Sequence, residues 1–211
     1  MRITTNQTVV AGSTMLLTLS IISSTAWAND VLVKVVDTSG AVVQNAVVYA
    51  EAKTKLSGLK SPAIIEQRGR KFNPLVSVVQ SGSDISFPNF DSVRHHVYSF
   101  SPAKKFELKL YSGVPANPVN FDKAGTVVLG CNIHDFMLAF IHVVDTPYFA
   151  KTDATGQASL KNLPAGNYTL KTWHYALAKE NEVVEKSLSI SSNQDVVMEL
   201  ALKPFELPSQ P

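Results

Sequence analysis

One cysteine, Cys131, in 211 residues leaves no internal disulfide and no Cys-x-x-Cys redox pair. Charge of one sign is also missing. The 19 basic and 17 acidic residues leave a net +2. A charge this near zero gives no electrostatic footprint for nucleic acid, which would need an extended basic face to neutralise phosphates. There is no Gly-x-Ser-x-Gly elbow, phosphate loop, dinucleotide fingerprint or His-Glu-x-x-His, and the carboxylates are scattered. Hydrolase and nucleotide chemistry therefore have no motif to stand on. Past residue 30 no apolar run approaches the roughly 20 residues that span a membrane. What is present, 45% apolar and 17% charged residues, is ordinary globular composition.

Residues 1–28 read as a secretory signal peptide. Arg2 is followed by an apolar stretch from Val9 to Ile22, and Ala26-Trp27-Ala28 offers the small-x-small cleavage site. Gly12, Ser13, Thr14, Thr18 and Ser20 interrupt that stretch, which makes it a leader and not an anchor. The expectation is a periplasmic or secreted chain. In an oxidising compartment a lone thiol is a liability, so Cys131 needs a reason to be there.

The rest reads as β almost throughout. Strands are expected at Val31–Val36, Ala46–Ala50, Ala63–Ile65, Val76–Val79, Ile85–Phe87, His96–Phe100, Phe106–Leu110, Gly125–Leu129 and Leu138–Val144. Turn chemistry such as Asp37-Thr-Ser-Gly40, Asn73-Pro74 and Ser81-Gly-Ser-Asp84 separates them. Leu138, Phe140, His142 and Val144 alternate with Ala139, Ile141 and Val143, so both faces are apolar and this strand is expected to be central. Lys53 to Lys60 reads as a linker. Only Ala176 to Val184 carries a trace of a 3.6 period. From Thr146 a second strand set follows, through Thr152–Leu160, Leu163–Leu170 and Val183–Leu202. The class is all-β sandwich.

Chemistry concentrates at Cys131-Asn-Ile-His134-Asp-Phe-Met137, a thiolate, an imidazole and a thioether at i, i+3 and i+6. In a tight loop these can converge, and with one more imidazole they make the ligand set of a mononuclear copper site with a weak axial Met. Arg94-His95-His96-Val97-Tyr98 offers two candidates for that imidazole. In a strand they face opposite sides, and geometry alone does not choose between them.

These residues resemble the cupredoxins, amicyanin-like ones most closely. The Cys-x-x-His-x-x-Met loop matches without insertion. Asn89, His95, His96 and Val97 reproduce the family's Asn, first ligand His, next residue and Val. Gly82, Phe87 and the stretch Gln67 to Leu75 are also family-like. The resemblance implies a Greek-key copper domain over 61–145 that binds one copper ion and carries single electrons. It implies His95, Cys131, His134 and Met137 as ligands, with Asn89 and His96 next to them. His96 stands where the family has Asn, and Asp135 where close relatives have Pro. The overall arrangement resembles proteins of methylamine-utilisation type, which implies a role beside an amine dehydrogenase, though no residue here supports that substrate. As an electron carrier the chain is expected to meet a transient redox partner, a cytochrome or a dehydrogenase.

The flanks resemble a carboxypeptidase-regulatory-like, transthyretin-type sandwich, in Val33–Val48 and Thr152–Trp173. The expected arrangement is a small discontinuous sandwich of residues 30–55 plus 146–205 with the copper domain inserted. The alternative is a single sandwich with long extensions.

Other residues get plainer readings. His142 is expected as a satisfied core or edge histidine. Trp173 is expected as a core indole beside an exposed His174. Arg68, Arg70 and Lys71 form the one dense basic cluster. Phe136 and Pro102 are expected around His134, and an electron port is expected at His134. The rival functions are a copper-handling protein without electron transfer and a structural or glycan-binding double sandwich. No enzymatic centre is visible.

Overall fold

The computed structural model describes residues 28–54, 58, 60–115, 117–179 and 182–209, and every regular element among them is a β-strand. Apart from Ala28, the expected signal peptide lies outside the described residues. Among the described residues no helix is long and apolar enough to cross a membrane.

The chain opens with β1 (Ala28–Asp37) and β2 (Val47–Ala52). Three short strands follow, β3 (Ala63–Ile64), β4 (Glu66–Gln67) and β5 (Phe72–Asn73). The middle holds β6 (Val76–Gln80), β7 (Ser83–Ser86), β8 (His95–Ser101), β9 (Lys104–Tyr111), β10 (Val119–Phe121), β11 (Gly125–Gly130) and β12 (Leu138–Val144). The last set is β13 (Phe149–Lys151), β14 (Gln157–Pro164), β15 (Gly166–Trp173), β16 (Val184–Ile190) and β17 (Gln194–Leu200).

Local chemistry sets the turns. After β1, the Asp37 carboxylate accepts the Ser39 and Ala41 amides and Gly40 takes φ 85°. Before β14, Asp153 accepts the Thr155 and Gln157 amides and Gly156 takes φ 74°. Both are aspartate-capped turns closed by a left-handed glycine.

Four β layers result. The outer sheet β14-β1-β17 and the sheet β13-β2-β15-β16 enclose one core, with Val31, Val33, Val35, Val48, Ala50, Leu160, Leu170 and Leu200 fully buried. The sheet β6-β12-β11-β8-β9 and the sheet β10-β7-β3 enclose the other, around Ile85, Phe87, Val97, Phe121, Val127, Leu129 and Ile141. The chain crosses from β9 into the small sheet at β10 and back at β11, as sandwich connections do.

β12 explains how the inner layers meet. It lies between β6 and β11, central as its pattern predicts. Ala139, Ile141 and Val143 enter the core shared with Cys131, while Phe140 and Val144 join the flanking core. On that second face His142 stacks on Trp173 at 4.7 Å and lies 5.5 Å from Tyr49, with Thr126 Oγ1 at 3.2 Å from its Nδ1. His142 is thus a satisfied core histidine, as its sequence context suggests.

Two expectations are corrected. His174 is buried rather than exposed, because its Nε2 meets the Gln44 carbonyl and its Nδ1 accepts the Ala176 amide. The Ala176–Val184 segment forms no helix among the described residues. It turns at His174–Leu177, and its backbone bonds go to Ala201 and Lys203 instead of along a helical ladder.

Burial pushes the His142 imidazole down to about 4, and burial, opposed by the Gln44 carbonyl, does the same to His174. Unfolded, each titrates near 6.5. Between pH 6.5 and 4 the unfolded chain therefore binds more protons, so stability rises with pH across that window. It is fully present above 6.5 and lost as pH falls toward 4, by up to about 3 kcal/mol for His142. Urea unfolding at pH 7 and pH 4.5 is expected to show that loss, and to show it reduced in His142→Gln.

Candidate metal centre

The site is built by one hairpin and one neighbouring strand. Gly130 pairs with Leu138, so the 131–137 loop closes the β11–β12 hairpin. Cys131 and Met137 directly follow and precede that last pair, at the two ends of the loop. Both are buried in the same apolar cluster. Between them the Met137 amide donates to the His134 carbonyl at 2.9 Å, a turn that folds His134 back over the loop.

β8 brings the fourth residue. Tyr98 pairs with Gly130 in antiparallel register, which carries His95 alongside the ligand loop. A Cβ at Gly130 would meet the outer end of the Tyr98 ring at 2.8 Å, so a larger residue there would displace that ring. The faces fall as strand alternation demands. His95, Val97 and Ser99 turn inward, while His96, itself buried, forms a ring ladder with Tyr98 and Phe100 on the other side, at 5.5 and 5.2 Å, across a register irregularity between His95 and Val97.

One ligand atom each from His95, Cys131 and His134 lie within 4.8 Å of one another. Cys131 Sγ is 3.9 Å from His134 Nδ1, and the two imidazole rings are 5.0 Å apart. Metal–nitrogen and metal–sulfur bonds of about 2.0 and 2.3 Å put ligand atoms roughly 3.5–4 Å apart, so the cluster is close to ligating dimensions. His95 and Cys131 are buried and His134 half-buried. His96 points away, with its Nε2 on Glu107 at 2.8 Å.

His95 Nδ1 is buried without a hydrogen-bond partner. Its other nitrogen meets the Asp91 carboxylate at 2.8 Å. Donation of Nε2–H to Asp91 leaves an Nδ1 lone pair, the form a metal needs. His96 Nδ1 is orphaned in the same way, with its Nε2 on Glu107, but only the His95 nitrogen stands beside Cys131 and His134, where an ion would satisfy it. The residues present therefore fit copper.

Asp91 is the residue that sequence reasoning missed. It lies in a loop, where an acid four residues before a histidine has no helical reason to reach it. Burial would raise its carboxyl, but the Arg70 amide, the His95 ring and the Gly69 amide together hold it below the usual range. His134 is lowered by burial and by the charges of His95 and Arg70, against the pull of Asp91.

Asn89 ties the approach to His95. Its side-chain amide donates to the Val93 and Tyr111 carbonyls, both at 2.9 Å, and its oxygen accepts the Asp91 amide. It braces the 89–93 loop, not the 131–137 loop. Gln67, also missed, donates its buried amide to the Phe87 carbonyl at 3.1 Å beneath it.

Phe136 lies 5.5 Å from His134, as expected. Pro102 does not lie near it. It follows Ser101 at the far end of β8, about 20 Å along the strand from His95, and lines a groove with Lys123, Thr126 and His142.

No family model matches the chain, and no curated protein does. Solved structures similar to part of it include the Cu-containing nitrite reductase (NirK) from Thermus scotoductus SA-01, at 24% identity and TM-score 0.37, over 42% of this chain and 23% of that one. A purple cupredoxin from Nitrosopumilus maritimus is 19% identical with TM-score 0.35, over 39% and 99%. The reduced Cu(I) form of an amicyanin point mutant is 17% identical with TM-score 0.36, over 46% and 99%. Each likeness covers less than half of this all-β chain, and the His95–Cys131–His134 cluster stands on its own geometry.

Proposed function

We propose that this chain is an exported type 1 copper protein that carries single electrons between redox partners. The observation that carries the reading is the orphaned, fully buried His95 Nδ1 beside Cys131 and the His134 ring. Copper held there supplies a one-electron couple, for which thiolate, imidazole and thioether are the suited donors. His95 and His134 would offer nitrogens, Cys131 a thiolate, and Met137 a soft thioether sulfur. Asp91 fixes the His95 tautomer. Asn89 limits movement of the loop behind it, which keeps the cost of changing charge small. His134, half-buried beside Phe136, is the electron port toward a cytochrome or dehydrogenase of transient affinity.

On this reading residues 61–145 are the copper domain, inserted into a carboxypeptidase-regulatory-like sandwich of 30–55 plus 146–205. Two imidazoles, a thiolate and a thioether are donors suited to electron transfer, which favours a carrier over an enzyme.

Purified protein equilibrated with copper and then dialysed is expected to retain one ion per chain. His95→Ala is expected to destroy that uptake and His96→Ala to keep it. The reverse pattern, or no stoichiometric uptake, would overturn the reading.

A further inference from the structure

The hairpin joining β4 and β5 is mechanically linked to the metal cluster. Gly69 and Arg70 take consecutive left-handed conformations, φ 62° and 55°. Successive amides in such a turn converge into an anion-binding nest. Here the anion is Asp91, whose oxygens accept the Gly69 amide at 2.6 Å and the Arg70 amide at 2.9 Å. The oxygen that takes Arg70 also meets His95 Nε2 at 2.8 Å. A single carboxylate thus ties the hairpin backbone to a candidate ligand.

The hairpin's side chains are cations. Arg68 lies over the Phe90 ring at 4.5 Å and reaches Glu66 at 3.5 Å. Arg70, Lys71 and nearby Arg94 are exposed and make no ion pair among the described residues. Asp91 is occupied by His95 and the two amides, and exposed Asp135 on the 131–137 loop makes no ion pair with these cations among the described residues. Lys71 and Phe72 share a groove of about 390 Å³ with Phe136, the neighbour of His134. The cationic turn therefore borders the electron port rather than a remote face.

We propose that the hairpin of Arg68, Arg70 and Lys71 docks an acidic face of a partner protein, and that Asp91 transmits that docking to His95. The inference rests on the copper reading for its purpose, but not for its test. Opposed charge steers encounter and sets orientation, and rim charges act mainly on association rate. A carboxylate cluster seated on Arg70 and Lys71 shifts the hairpin backbone. The nest then moves Asp91, and Asp91 carries the Nε2–H end of the His95 ring with it. Asp91 is a positioning residue in this scheme.

The test titrates the full chain with short poly-L-glutamate at low salt, copper-free and loaded with Cu(I), and follows amide and imidazole N–H resonances. The Gly69 and Arg70 amides and the His95 Nε2–H are expected to shift together on one saturation curve. Arg70→Glu combined with Lys71→Glu is expected to weaken that curve at least tenfold, because both side chains are exposed and their loss leaves the core intact. Asp91→Asn is expected to bind poly-L-glutamate as well as the parent, with shifts retained at Arg70 and lost at His95. Undiminished binding by the charge-reversed protein would overturn the docking surface, and a His95 shift that survives in Asp91→Asn would overturn the coupling. Because the copper-free titration needs no metal, failure to take up copper would sink the electron-carrier reading alone.

Discussion

Cys131→Ala is expected to leave the copper-treated protein colourless, and the parent to show an intense visible thiolate-to-copper band. The sulfur sits 3.9 Å from His134 Nδ1 in a core that supplies no other thiolate, so nothing can replace it. Ala in place of a small buried thiol costs little in packing, so the copper-free variant is expected to unfold near the parent. Loss of colour with stability retained then reports the ligand and not the fold. Met137→Leu is the companion measurement. It keeps apolar volume in the cluster while removing the soft axial donor, so the band is expected to remain and the potential to rise. An absorption spectrum and a redox titration of the three proteins decide the matter. An unchanged band in Cys131→Ala would end the thiolate assignment.

Trp173→Ala is expected to cost about 3–5 kcal/mol, the range for removing a large buried aromatic side chain. In a chain of this size that lowers Tm by roughly 10 °C. The indole is 3% exposed, stacks on His142 at 4.7 Å and lies 6.2 Å from Phe140, so its removal opens a void between the two inner sheets. Phe100→Ala is the control. That ring is 78% exposed, and its loss is expected to stay within about 0.5 kcal/mol. Calorimetry of the two variants checks the contrast. Equal Tm values would mean that the inner sheets do not depend on this contact.

Much of the site was legible because its local part is encoded at short range. The loop 131–137 bridges one hairpin, so the three-residue spacing of Cys131 and His134 lets those two side chains meet. Strand alternation likewise put His95 and His96 on opposite faces and made Leu138–Val144 a two-faced central strand. Pro102 was misplaced because proximity was assumed where β8 runs the length of the sheet. His174 was misread because its partners, the Gln44 carbonyl and the Ala176 amide, come from a distant turn and a local one that no periodicity announces.

The chain of residues alone determined an all-β class and the loop that brings Cys131 and His134 together, since period-two alternation and turn chemistry act over a few positions. Tertiary structure decided which histidine turns inward to the sulfur, that Asp91 holds it, and that His142 and Trp173 seal two inner sheets together. Those outcomes depend on strand register and on contacts between segments far apart in the chain, and such contacts leave no mark on any short stretch of it.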